Sequence, residues 1–405
     1  MDQLLHLFAD VFLFVLIPSV LWRLSYRTLP IVVIPILLGI AIAVTKYPVG
    51  AWGIPSRYGE DIGWLAVLVL AFTAGLDMWQ FSDGADPNRN FTSPSMGRLL
   101  GSALVALGVP FCIGSLLIYF YFLPLHGWET PHGSPVIGAM SIGLCLAVSA
   151  LPVLIGVVRE LAPADRPMGQ LALRLAVVDD AALWIGLACL EFAAEGPAAF
   201  HGWHITQFIA IALLAALALL SSAATYRLPH PPLWVIWGAV PLWLAGGAWA
   251  SMQIGLHELI GAYFAGAVMP PGWVRRLPVE QVGTFALIWL APLFFGHSGM
   301  HINGEALTWP SVIASFLLVV ISITTKMGAV VLYPPSPDMS RRQALGMGTL
   351  LQCKGLMEIV AATILHSKGM ISEFAYASLM VLAVTSTTLT GPMFRLVRAK
   401  KGDAP

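Results

Sequence analysis

Apolar runs of about twenty residues recur along the whole chain, and short polar breaks separate them. Such a run matches the ~20 residues that an α-helix needs to cross the hydrocarbon core of a bilayer. Only 10% of the 405 residues are charged, against about 25% in soluble domains. A surface with so few charges cannot face water, which excludes a soluble globular protein and a disordered one. We therefore predict an all-α polytopic membrane protein.

The positions of the polar breaks predict about thirteen transmembrane segments in a single membrane domain that covers residues 1–405. Several breaks have the composition of turns, such as Asp-Gly-Ala-Asp-Pro-Asn at 83–88. In chain order, the predicted segments cover about 3–22, 28–46, 60–79, 98–121, 135–160, 168–192, 205–224, 232–249, 254–271, 282–300, 308–332, 342–366 and 373–395.

Cationic residues are unevenly distributed between the two sets of loops. The loops after odd-numbered segments and the C-terminal tail hold fifteen of the 21 Lys and Arg residues, whereas the opposite loops hold three. Because cationic loops stay in the cytoplasm, we expect a multi-pass protein of the cell (inner) membrane with its N-terminus outside and its C-terminus in the cytoplasm. The net charge of zero offers no basic face, so nucleic acid is not an expected partner.

The segment count also suggests an internal repeat. Thirteen is six plus one plus six, so segments 1–6 and 8–13 could form an inverted repeat around a linking seventh helix. Segments 5 and 12 would then correspond, and both contain helix-breaking residues, namely Ser-Ala-Leu-Pro at 149–152 and Gly346, Gly348 and Gly355. Paired broken segments indicate the midplane site of a transporter, although Gly and Pro are also frequent in ordinary transmembrane helices.

Several charged residues lie inside the apolar segments, where a charge at the bilayer centre costs about 2.5–3.5 kcal/mol. Asp179 and Asp180 stand at the middle of segment 6, Lys326 lies in segment 11, and segment 12 contains Lys354 and Glu358. Such residues must face a protein interior or a wet cavity. They are therefore the candidate functional residues.

The acidic pair Asp179-Asp180 points to ion chemistry. Adjacent residues on a helix point about 100° apart, so one carboxylate can pair with a lysine of a neighbouring helix while the other faces a cavity. A carboxylate in that place can hold a proton or a small cation, but not comfortably both, and this competition is the basis of cation/proton exchange. A buried structural ion pair is the alternative interpretation.

A broken helix beside this pair would supply the oxygen ligands that hard cations require. We expect Asp180, the Ser149 hydroxyl, carbonyls near Ala150 and water to provide them, which makes Asp180 and Ser149 the predicted transient cation ligands. The ends of two half-helices also need opposite charges nearby. Lys354 and Glu358 could supply those charges, or could pair with each other four residues apart.

Seven short motifs occur in a fixed order from segment 5 to segment 13, within a resemblance that covers about 330 residues from segment 3 onwards. They are LAVSALPVL at 146–154, VDD at 178–180, GLHELIGAYFAG at 255–266, APLFF at 291–295, KMG at 326–328, KGLME at 354–358 and LTGP at 389–392. In this order and spacing they resemble the monovalent cation:proton antiporter superfamily, specifically its bacterial Na⁺/H⁺ or K⁺/H⁺ exchangers related to plant cation/H⁺ exchangers. The chain departs from that family at Lys354, where arginine is usual, and at Ile155-Gly156, where Ala-Arg is usual.

The resemblance implies roles for the candidate residues. It makes Asp180 the aspartate that binds the cation and the proton, and it pairs Asp179 with Lys326. Segments 5 and 12 would be two unwound helices that cross at the site. An acidic pair with a lysine resembles the electrogenic members, in which two protons exchange for one cation.

The same resemblance implies an architecture. A transport core, about 98–192 and 308–395, would move like an elevator against a scaffold, about 1–79 and 232–300. The helix at about 205–224 would link the two halves. The scaffold of such exchangers usually forms a homodimer.

We therefore expect a secondary antiporter that exchanges Na⁺, or K⁺ or Li⁺, for protons, and not an enzyme. No cofactor is expected, and the partners would be the ions, the bilayer and a second copy of the chain, in a role such as pH homeostasis. A Na⁺-coupled organic-anion symporter on a related crossed-helix fold is the main alternative. A channel is less favoured, because it would need repeated rings of carbonyls or carboxylates from an oligomer. An intramembrane enzyme is also less favoured, because His201 and His204 lie in a loop without a third metal ligand. A pH-sensing role for His297 is a separate hypothesis.

Overall fold

The computed structural model describes residues 2–24, 33–80, 94–159, 161–162, 165–195, 204–227, 231–302 and 309–399. Within these ranges the chain forms eighteen α-helices and no β-strand, so the all-α prediction is confirmed for this part of the chain. The helices are α1 (Asp2–Val11), α2 (Ile17–Leu24), α3 (Val33–Thr45), α4 (Arg57–Gln80), α5 (Met96–Leu117), α6 (Pro135–Ala147), α7 (Leu151–Arg159), α8 (Arg166–Glu195), α9 (Ile205–Arg227), α10 (Leu233–Gln253), α11 (Glu258–Ala267), α12 (Pro271–Val274), α13 (Val279–Phe285), α14 (Ala291–Met300), α15 (Trp309–Leu332), α16 (Arg341–Leu351), α17 (Leu356–Ser367) and α18 (Glu373–Ala399). Stretches of π-helix at Phe12–Leu16 and Ala286–Leu290 join α1 to α2 and α13 to α14, and a third at Ile118–Phe122 extends α5.

Eight helical stretches of the described chain are long and apolar enough to cross a membrane. They are Gln3–Leu24, Arg57–Asp77, Met96–Phe122, Ile205–Thr225, Leu233–Gln253, Val279–Met300, Val312–Leu332 and Glu373–Arg398. Three shorter apolar helices accompany them, at Val33–Thr45, Pro135–Ala147 and Met357–Ser367. The chain is thus a multi-pass membrane protein, whereas the count of thirteen segments and the inverted repeat stay predictions.

Segments 5 and 12 each consist of two helices in the structure. α6 and α7 are separated at 148–150, and α16 and α17 are separated at 352–355. The prediction that Gly346 and Gly348 also interrupt segment 12 was wrong, because both lie inside α16. Gly348 instead allows close packing, since a Cβ atom there would lie 2.8 Å from Met327 Cα.

Side-chain caps begin several of these helices. Ser95 accepts a hydrogen bond from the Arg98 N–H at the start of α5, and Ser134 caps α6 immediately before a proline at its first position. Ser340 and Gln343 form a reciprocal capping box at the start of α16. These contacts satisfy amide groups that have no partner within the helix.

The chain divides into two compact units, of which the first comprises Met1–Asp83 and Leu187–His301. Its helices α4 and α11 pack with their backbones in close contact. A Cβ atom at Gly75 would lie 2.1 Å from the Tyr263 carbonyl oxygen, and one at Gly266 would lie 2.2 Å from the Phe72 carbonyl oxygen. Glycine is therefore required on both sides of this contact, as is common where membrane helices approach closely.

The second unit comprises Gly84–Gly186 and Ile302–Pro405. In it α15 packs against α5, α16 and α18, while α17 packs against α6 and α18. This unit contains both pairs of broken helices and all the candidate site residues, Asp179, Asp180, Ser149, Ala150, Lys326, Lys354 and Glu358.

Candidate functional site

The two helix breaks of the second unit lie side by side. The amide of Ala150, between α6 and α7, donates to the carbonyl of Cys353, between α16 and α17, at 2.8 Å. Backbone groups that a continuous helix would have satisfied are thus paired across the breaks. The breaks bring together the ends of four half-helices inside the second unit.

Local sequence explains why the helices stop here. Gly355 precedes α17 with φ +156° and ψ −124°, a conformation that side chains with a Cβ rarely adopt. A Cβ atom at this position would also lie 2.8 Å from Val153 Cγ2. On the other side, Pro152 stands in the first turn of α7, where its missing N–H has no helical partner to lose.

Asp179 on α8 is held by a lysine and a serine. Lys326 Nζ, on α15, lies 2.6 Å from Asp179 Oδ2 and donates to the Ala147 carbonyl at 2.6 Å. Ser149 Oγ lies 2.6 Å from the same Oδ2 atom and 2.5 Å from the Leu351 carbonyl oxygen, so its single proton can serve either acceptor. This ion pair is buried and connects α8 and α15 with both helix breaks.

Asp180 follows Asp179 on α8 and is 1% exposed. The oxygens predicted to join it in binding a cation already have other contacts. The Ser149 hydroxyl lies against Asp179, and the Ala150 carbonyl accepts the Leu154 amide at 3.1 Å as the first hydrogen bond of α7. The Ser149 oxygen donates its proton in these contacts and keeps its lone pairs, and the Ala150 carbonyl has a second lone pair, so further coordination remains chemically available.

Lys354 acts on the end of a helix. Its Nζ atom donates to the carbonyls of Cys145, Leu146 and Val148 at 2.9, 2.8 and 2.8 Å. These carbonyls form the C-terminal end of α6, the negative end of its dipole. Among the described residues no hydrogen bond joins Lys354 to the Glu358 carboxylate, so pairing of these two residues stays an alternative interpretation. Glu358 lies in the first turn of α17.

Sequence reasoning missed a set of neutral polar residues at the breaks. Ser322 donates to the Leu146 carbonyl at 3.0 Å, and Ser386 donates to the Gln352 carbonyl at 2.7 Å. The side-chain amide of Gln352 donates to Ser386 Oγ at 3.0 Å, and the Thr387 hydroxyl donates to the Lys354 carbonyl. One signal was available, since Ser322 precedes Lys326 by four residues, which is one turn of an otherwise apolar helix.

The predicted histidines lie elsewhere. His297, in the first unit, has Nε2 at 3.0 Å from Asp10 Oδ1, and the other oxygen of Asp10 accepts the Ser56 amide at 2.8 Å and its hydroxyl at 2.5 Å. His201 lies outside the described residues, whereas His204 is exposed. Among the described residues no group of three metal-ligating side chains occurs.

Comparison with known proteins places this geometry in a family. The model of the family described as sodium/hydrogen exchanger, transmembrane, matches residues 11–398. K⁺/H⁺ antiporter 1 of Saccharomyces cerevisiae is 25% identical over 350 residues, which are 82% of this chain and 39% of that protein. Na⁺/H⁺ antiporter NhaS4 of Synechocystis is 24% identical over 340 residues, which are 80% and 81% of the two chains.

A solved structure shares the fold. The sodium proton antiporter MjNhaP1 from Methanocaldococcus jannaschii at pH 8 superposes with a TM-score of 0.62 and 14% identity over 99% of each chain. The chain spans 34–41% of the length of the plant and yeast relatives that it matches first. Because the family model covers nearly the whole sequence, this chain belongs to the transmembrane sodium/hydrogen exchanger family.

Proposed function

We propose that this chain is a secondary antiporter in which Asp180 binds either a proton or a monovalent cation. The supporting observation is that the two aspartates of the acidic pair have different surroundings. Asp179 is neutralised by Lys326 at 2.6 Å, while the adjacent Asp180 is buried and, one residue further along α8, points about 100° away. A buried carboxyl group that only loses its proton leaves a negative charge in the site. When a monovalent cation replaces the proton, the net charge of the site does not change, so exchange is favoured over simple loss of the proton.

Na⁺ is the cation that we favour, with K⁺ and Li⁺ as alternatives. The matched relatives carry names of both kinds, one a K⁺/H⁺ antiporter and one a Na⁺/H⁺ antiporter. Asp180, the lone pairs of the Ser149 hydroxyl, the second lone pair of the Ala150 carbonyl, and water would form the oxygen shell. We further propose that Lys354 compensates the negative end of α6 throughout the cycle, and that Glu358 compensates the positive end of α17 whenever it is ionised.

Transport requires the site to open to each side in turn. We propose an elevator motion in which the second unit, with the whole candidate site, is the moving core and the first unit is the scaffold of a homodimer. In this account the protein lies in the cell (inner) membrane with its C-terminus in the cytoplasm, and the exchange is electrogenic. Each net charge moved per cycle would gain about 2.3 kcal/mol per 100 mV of membrane potential.

The test is dissipation of a pH gradient in proteoliposomes. Na⁺, K⁺ and Li⁺ are added in turn to vesicles that contain the wild type, Asp180→Asn, or the control Asp61→Asn, which changes an exposed carboxylate at the start of α4. We expect cation-dependent proton movement in the wild type and the control, and none in Asp180→Asn. No response of the wild type to any cation would overturn antiport and favour the organic-anion symporter.

A further inference from the structure

Glu358 is a buried acid whose carboxylate has no hydrogen bond to any described residue. The residue is 1% exposed in the first turn of α17, the helix that packs against α6 and α18. Within the described residues, neither Oε1 nor Oε2 has a hydrogen-bond partner. Carboxylates in protein interiors are normally held by donors or cations, so this side chain calls for an explanation.

The ionisable groups around Glu358 do not provide one. Lys354 interacts electrostatically with Glu358, but its three N–H donors are directed to the carbonyls of Cys145, Leu146 and Val148. Two further titratable groups that interact electrostatically with Glu358 are the thiols of Cys145, on α6, and Cys353, in the break at 352–355. On α18, the charged residues lie in the first turn and near the C-terminal end. No ion pair therefore holds Glu358 in this part of the structure.

The protonation state of Glu358 must then depend on access to water. An ionised carboxylate buried without donors is strongly disfavoured, so this conformation holds the neutral acid. When water reaches the break at 352–355, hydration stabilises the ion, and the positive end of α17 and the nearby Lys354 charge favour it further. Opening and closing of the site would thus drive release and uptake of a proton at this side chain.

We propose that Glu358 is a second proton-binding group of the transport cycle, in addition to Asp180. The proton leaves the carboxyl oxygen to water on one side of the membrane and is replaced from water on the other, with no other bond formed or broken. This inference rests on the proposed antiport, because it assigns the second of two protons exchanged for one cation. Lys326 then remains paired with Asp179 throughout the cycle.

The experiment measures the coupling ratio, which is the number of protons moved per sodium ion. At zero membrane potential it is obtained from the pH gradient at which a given sodium gradient drives no net exchange. A tenfold sodium gradient is balanced by about half a pH unit when two protons move per cation, and by about one unit when one proton moves. We expect the ratio of two in the wild type to halve in Glu358→Gln. The control Glu191→Gln, at a buried glutamate of the first unit, should keep the wild-type ratio.

Two results separate this inference from the proposed function. Wild-type protein without any sodium-dependent proton movement would overturn the antiport itself. Wild-type exchange with an unchanged ratio in Glu358→Gln would overturn only the role of Glu358. If Glu358→Gln does not fold, infrared difference spectra of sodium binding decide the matter. If Glu358 gives up a proton on sodium binding, the carbonyl band of its protonated carboxyl should appear in the wild-type spectrum and should lie at another frequency in Glu358→Asp. Identical bands in the two proteins would refute the assignment.

Discussion

The buried pair of Lys326 and Asp179 permits a quantitative test by Lys326→Met, which removes the cation and keeps most of the side-chain volume. The two charged atoms are 2.6 Å apart, and the side chains are 2% and 1% exposed. Removing one partner of such a pair costs about 3–5 kcal/mol. Loss of the hydrogen bond to the Ala147 carbonyl adds about 1 kcal/mol. The Ser149 proton, which the wild type shares between Asp179 and the Leu351 carbonyl, can go wholly to Asp179 in the variant and offsets a similar amount. We expect the free energy of unfolding to fall by about 4 kcal/mol.

A second substitution separates the stranded charge from the lost packing. Adding Asp179→Leu to Lys326→Met removes the uncompensated carboxylate, so the double variant should recover at least about 2 kcal/mol of the loss. The deficit of the single variant should also shrink on acidification, because proton uptake neutralises the stranded carboxylate. That effect can reach about 1.4 kcal/mol per pH unit. It should be absent from the double variant.

Equilibrium unfolding in mixed micelles of dodecyl maltoside and dodecyl sulfate provides the assay, followed by tryptophan fluorescence. Wild type, both single variants and the double variant are compared at two pH values, so that the coupling energy of the pair is obtained directly. A Lys326→Met variant as stable as the wild type would refute the predicted cost of the stranded Asp179 carboxylate. A double variant no more stable than Lys326→Met would refute it as well.

Three further substitutions test the packing and the breaks, all by the same unfolding assay. Gly348→Ala should cost about 1–3 kcal/mol of unfolding free energy, because its Cβ meets the α15 backbone at 2.8 Å. The control Gly328→Ala, whose Cβ meets no described residue within 4 Å, should cost nothing measurable, and equal stabilities of the two variants would contradict this. Gly355→Ala should cost about 1–3 kcal/mol through backbone strain and should slow transport, so a variant with wild-type rate and stability would disprove the need for glycine. Asp10→Ala should cost about 1–3 kcal/mol of unfolding free energy, because the Ser56 amide loses its acceptor. Asp10→Asn keeps an acceptor oxygen and should cost less, so an Asp10→Asn variant less stable than Asp10→Ala would argue against that contact.

The positions of the helix breaks followed from local chemistry. The serine and proline at 149–152 and the glycine at 355 each disfavour helix in their own neighbourhood, and the structure interrupts the chain at both places. The same logic failed at Gly346 and Gly348, because glycine also serves close packing between helices. That second use depends on which helix lies opposite, which no local pattern reveals.

The contacts of the charged residues were only partly accessible from the sequence. The periodicity of an α-helix separates the directions of Asp179 and Asp180, but it does not identify the lysine that pairs with one of them. Residue spacing allowed Lys354 either to pair with Glu358, four positions apart, or to lie at the end of a half-helix. In the structure Lys354 donates hydrogen bonds to carbonyls at the C-terminal end of α6. These carbonyls are available as acceptors because the helix ends there. Partners of this kind arise from tertiary structure.

Proton release on cation binding tests the central claim most directly. Purified protein in detergent and weak buffer is titrated with NaCl, KCl or LiCl while a pH indicator is recorded, with choline chloride as the control for ionic strength. If Asp180 takes a proton or a cation in turn, binding must release protons from the wild type, and Asp180→Asn must release fewer. Cation binding without proton release, or equal release from Asp180→Asn, would contradict exchange at this carboxylate.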